Sequence, residues 1–142
     1  MKRELALLTA LFLLLAPAFA AQPTLQELKQ KVVTAQPKDQ PKLYIKIAEM
    51  EMKSADEYYK AGDAEKGQAV LPDLISDCEK AAAAAKSTRK HMKNTEIALR
   101  NIENRLDATS KSLTFDERAP VKDAIDRIEH ARNSLVNAMF AK

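Results

Sequence analysis

The sequence predicts an all-α fold: an up-and-down antiparallel bundle of three to four main helices, preceded by a short N-terminal helix. Three observations point there. The chain of 142 residues holds only 2 glycines. It is rich in Lys, Glu, Leu and Arg and carries an unbroken alanine run, Ala81–Ala85, all strong helix formers. No stretch alternates apolar and polar residues with the period of two that a half-buried strand requires.

Each element has its own signals. Thr24 and Glu27 form a T-x-x-E capping box, and Leu25, Leu28 and Val32 follow at helical spacing, so a short amphipathic helix opens here. Pro23, Pro37 and Pro41 punctuate this region, and Gln36 to Gln40 read as a linker that leaves the short helix a mobile arm. The first long helix should begin between Asp39 and Lys42, with Pro41 in its first turn, and run to Ala61 before Gly62-Asp63 ends it. Asp63 is a good N-cap for a second helix that turns Val70, Leu74, Cys78, Ala81 and Ala85 inward. Pro72 removes one hydrogen bond from that helix and should bend it without ending it.

The third helix is expected from Lys86 to Ser112. Thr88, Met92, Thr95, Leu99, Ile102, Leu106, Thr109 and Leu113 are spaced alternately by three and four, the seam of a left-handed helix pair. A second T-x-x-E box, Thr114 to Glu117, opens the last helix, where Val121, Ile125, Ile128, Leu135 and Met139 face inward and Pro120 sits near the start. The three joints are short, so successive helices should run antiparallel.

Residues 1–20 read as a signal peptide: Met1-Lys2-Arg3, an apolar run from Leu5 to Leu15, and Ala16-Pro17-Ala18-Phe19-Ala20 as a small-x-small cleavage signal, with the cut after Ala20. The apolar run is too short for a membrane anchor, and no cysteine near the cut allows lipid attachment. The expected organisation is therefore a leader (1–20), an arm with its linker (21–40) and one bundle domain (41–142). The expected location is periplasmic or secreted, with no membrane span after cleavage. The lone Cys78 leaves such a protein without an internal disulfide. It falls on the apolar stripe of the second helix and reads as a buried thiol, with bridging of a homodimer as the alternative.

The formal net charge is +3, about +2 without the leader, which argues against a dedicated nucleic-acid binder. No catalytic or metal-ligating set stands out, so the chain is expected to be no enzyme and to need no cofactor. His91 and His130 lack the E-x-x-H context of a di-iron site. Asp126 and His130 share a helix face but lie off the apolar stripe. Met50, Met52, Met92 and Met139 suit a core better than a haem, and there is no C-x-x-C-H for covalent attachment. The strongest charge cluster is Lys86, Arg89, Lys90 and Lys93, with His91 among them, expected to open the third helix. Cations there oppose the helix dipole, which hints at an anionic partner; the alternative is a solvated face partly neutralised by Asp77, Glu79 and Glu96. No aromatic residue interleaves these cations to stack on a base.

Two local resemblances add to this. Ala55–Gly67, with Tyr58-Tyr59 and Gly62-Asp63, resembles the middle of a tetratricopeptide repeat, which implies an antiparallel helical hairpin. Gly67 stands where that family usually has alanine, and no second copy appears at a period near 34. Leu113-Thr114-Phe115-Asp116-Glu117-Arg118 is similar to one L-T-x-x-Q-R element of Spy-type periplasmic chaperones, with Glu117 in place of Gln, which implies a small helical holdase. The leading expectation is an exported, non-enzymatic bundle that binds a protein or an anionic envelope component. A Spy-like stress chaperone is the runner-up, and a small haem or metal carrier the third.

Overall fold

Among the described residues of the computed structural model, five helices follow one another: α1 (Leu25–Thr34), α2 (Gln40–Lys60), α3 (Ala64–Thr88), α4 (Met92–Ser110) and α5 (Phe115–Phe140). The structure describes residues 21–142, so the expected leader lies outside the described residues. The caps fall where the sequence places them. Thr24 Oγ1 accepts from the Glu27 amide at 3.2 Å while Glu27 Oε2 accepts from the Thr24 amide at 3.1 Å. Asp63 Oδ1 accepts from the Lys66 amide at 3.2 Å, and Glu117 closes the box on Thr114. Gly62, at φ +78°, takes the left-handed conformation that ends α2.

One boundary differs. The third long helix begins at Met92, not at Lys86: α3 continues through the alanine run to Thr88, and a three-residue joint, Arg89 to His91, intervenes. Arg89 and His91 both adopt left-handed backbone, φ 58°, without being glycine. Side chains hold the break: Thr88 Oγ1 donates to the Ala84 carbonyl at 2.7 Å, and Arg89 Nη1 donates to the Ala138 carbonyl at 2.6 Å. The joint is thus fixed by the far end of α5, which a local reading of the chain does not contain.

Successive long helices alternate in direction, as short joints require, but their lateral neighbours follow a further rule. α2 and α3 form one antiparallel hairpin, with Tyr59 against Gly67 near the turn and Lys80 over the Tyr44 ring, 5.9 Å from its centroid, towards the other end. α4 and α5 form a second, tied by Arg132 Nε donating to Glu103 Oε1 at 2.8 Å. The hairpins stack with like helices side by side. Arg127 pairs with Glu79 and Lys86 with Ser134, each 48 residues apart, so α3 and α5 run parallel. Arg105 pairs with Asp56, and Lys42 and Lys46 lie beside His91 and Thr95 at the same offset of 49 residues, so α2 runs parallel to α4.

The core between the hairpins is apolar: Met52, Leu74, Cys78, Leu99, Leu106, Ile128 and Leu135 are fully buried. Each such side chain contributes roughly 1.5–3 kcal/mol through removal from water. Pro72 is exposed and α3 is continuous through it. The short helix α1 does not stand free as an arm. Leu28 and Val32 pack with Ile47 of α2 in a second, smaller cluster, and Lys29 reaches Glu51, Asp73 and Asp77 at 2.8, 3.1 and 3.8 Å. None of the described helices is long and apolar enough to cross a membrane.

Candidate basic end of the bundle

Because the long helices alternate, the start of α2, the end of α3, the start of α4 and the end of α5 meet at one end of the bundle. The four cations of the sequence cluster are all there, in two different roles. Lys86 lies in the last turn of α3, where the helix dipole favours a cation, so the expected conflict with a helix N-terminus does not apply to it. Its ammonium donates to Ser134 Oγ at 2.6 Å, and Arg89 is bound to the Ala138 carbonyl. These two tie the joint to α5. Lys90, in the joint, and Lys93, in the first turn of α4, are exposed.

No carboxylate among the described residues pairs with any of the four. The acids expected to neutralise them are engaged elsewhere: Asp77 by Lys29 and Lys80, Glu79 by Arg127, Glu96 by Arg100 and Arg132. Those acids therefore do not offset the positive charge at this end.

The fold adds cations that the local sequence does not suggest. Lys42 and Lys46 of α2 border an open groove of about 400 Å³ together with Leu43, Ile45, Glu49, His91, Asn94 and Thr95. Two helix N-termini meet there, and neither has a side-chain cap: Asp39 makes no capping bond for α2, and His91 makes none for α4. The signal that finds Lys42 and Lys46 is the 49-residue offset between α2 and α4, visible only once the hairpins are stacked.

The other singled-out residues do not converge. His91 is half-buried at the groove, while His130 is exposed on α5 beside the equally exposed Asp126. Met52 is fully buried in the core, Met92 is buried at the start of α4, and Met50 and Met139 are half-buried, as packing residues are. Among the described residues, no three His, Cys, Asp or Glu side chains are grouped as metal ligands. Burial pushes the Cys78 thiol far above its ordinary range, with Glu51 and Asp77 adding to the effect, so it carries no thiolate at neutral pH.

In the sequence Glu51 reads as one more helix-surface acid. It is only 2% exposed, and its Oε2 has no partner among the described residues. Burial raises its carboxyl to about 7, against the pull of Lys29 and with a further push from Asp77. Burial alone would lower the Lys29 ammonium, but Glu51 and Asp73 more than reverse this and hold it protonated.

No family model, curated protein or solved structure matches this chain.

Proposed function

We propose that this protein is an exported, non-enzymatic binding module that takes an anionic partner of the cell envelope on the basic end of its bundle. The observation that carries the reading is the set Lys42, Lys46, Lys90 and Lys93, assembled from two helices and a joint, with no carboxylate bound to any of them among the described residues. Other charges of the bundle are paired, as in Arg105 with Asp56 and Arg127 with Glu79. Leaving one end unpaired costs self-repulsion that an anionic partner would relieve.

A Spy-like holdase would call for a contiguous exposed apolar face. Of the large apolar side chains that do reach solvent, Val33 sits on α1, Ile97 on α4, and Phe115 and Phe140 at opposite ends of α5. This dispersal favours the charged end over an apolar client surface.

The test is co-sedimentation of the purified chain with phosphatidylglycerol vesicles and with phosphatidylcholine vesicles across a salt series, as native protein and as Lys90→Gln/Lys93→Gln. Binding to the anionic vesicles only, weakened by salt and by the double substitution, is expected. Equal binding to both vesicle types, or none to either, would remove the proposal.

A further inference from the structure

We infer that the groove between the first turns of α2 and α4 is a subsite for a single phosphate group, a deepening that rests on the anion-binding reading above. The α4 N-terminus supplies the field. Thr95 donates its amide to the His91 carbonyl at 2.9 Å, the first bond of the helix. The amides of Met92, Lys93 and Asn94 before it have no carbonyl of their own helix to reach, and the His91 side chain does not cap them. Three free N–H groups at the positive end of a dipole are a ready acceptor site for an oxyanion.

Thr95 supplies the second, independent indication. It is 1% exposed, it lines the groove, and its hydroxyl makes no hydrogen bond among the described residues. The other two helix threonines in half-buried positions are both engaged: Thr88 donates to the carbonyl four residues back at 2.7 Å, and the Thr109 hydroxyl lies 2.9 Å from both Asp56 Oδ1 and the Arg105 carbonyl. The Thr95 hydroxyl is free to donate to an oxygen seated in the groove. Lys42 and Lys46 of α2 line the same groove, one helical turn apart, and add positive charge beside the α4 N-terminus.

The remaining lining defines the rest of the ligand. Leu43 and Ile45 are half-buried apolar walls, and Glu49 is the one carboxylate on the rim. A phosphate ester therefore fits better than a polyanion: the phosphate is held at α4, the apolar walls contact its organic part, and Glu49 repels a second negative charge. His91, whose left-handed backbone ends the joint, lies at the same groove.

Inorganic phosphate is the probe, titrated into the purified chain and followed through the amide resonances of Met92, Lys93, Asn94 and Thr95. The expected result is saturable shifts confined to those amides and to α2 near Lys42. Affinity should fall by about tenfold in Thr95→Val and by more in Lys42→Gln/Lys46→Gln. Far-UV circular dichroism checks that each variant is folded. Phosphate binding that is absent, or unchanged in both groove variants, overturns the subsite. Should those same variants still bind phosphatidylglycerol vesicles in a salt-dependent way, only the subsite fails; should the native chain bind neither probe, the broader anion reading fails with it. Phosphatidylglycerol vesicles that move the same four amides assign the phosphate to a lipid headgroup, and vesicles that leave them unmoved while free phosphate shifts them assign it to a ligand in solution.

Discussion

Glu51→Gln isolates the most unusual charge in the bundle. The native carboxyl is almost wholly buried, and its pKa, about 7, lies above the ordinary 4.5. A group raised in the folded state favours folding only while protonated. Its contribution is complete below about pH 4.5 and disappears as pH rises through about 7. A difference of that size corresponds to at most about 3 kcal/mol. The groups facing Glu51 are Lys29 of α1 and Asp77 of α3, with Asp73 beyond Lys29, and all three remain in the variant. Native and Glu51→Gln proteins should therefore have similar stability near pH 4 and diverge as pH rises, the variant becoming the more stable by pH 8. With a urea dependence of about 1–3 kcal/mol per molar for a domain of this size, the midpoints should separate by roughly 1–3 M. Urea unfolding followed at 222 nm at several pH values measures this directly. Parallel curves would refute the argument, and so would a less stable variant at pH 8, because the pull of Lys29 would then outweigh the burial cost.

Three further outcomes follow from other contacts. A Cβ at Gly67 would sit 2.8 Å from the Tyr59 ring, so Gly67→Ala should cost about 1–2 kcal/mol despite its better helix propensity; in a Tyr59→Ala background the same change should stabilise, and a double-mutant cycle by urea unfolding checks the reversal. His91→Gly relieves a left-handed non-glycine backbone and should raise stability by about 0.5–1 kcal/mol, read as a higher thermal midpoint, while weakening phosphate binding through a looser joint. Cys78, wholly buried with its thiol held protonated, should resist a thiol-reactive dye in the native state and react fully in denaturant; prompt native labelling would show that the α2–α3 core opens.

Much of this fold was readable because its signals are local. The boxes at Thr24 and Thr114, the cap at Asp63 and the glycine at Gly62 each act within a few residues, and the apolar stripes of α3, α4 and α5 follow helical spacing. The missed features depend on distant partners. Nothing in Ser87–Lys93 contains glycine or proline, so the break before Met92 is invisible until Arg89 is seen bound to Ala138. The stacking of hairpins at an offset of 48 to 49 residues rests on Glu79, Lys86 and Asp56 finding partners in the second hairpin. That same offset carries Lys42 and Lys46 to His91, and it is why the candidate site is larger than the cluster Lys86, Arg89, Lys90 and Lys93. Glu51 looked like surface because only the docking of α1 through Lys29 encloses it.

The central claim is that partners meet this protein at its basic end. Site-specific photo-crosslinking in the producing cells tests it most directly, with the crosslinker at Lys90 or Lys93 and, as the opposite-end comparison, at Glu65 in the first turn of α3. The account predicts discrete crosslinked species from Lys90 and Lys93 that fade when Lys42 and Lys46 are replaced by Gln, and none from Glu65. Crosslinks from Glu65 alone, or from all three positions alike, would contradict it.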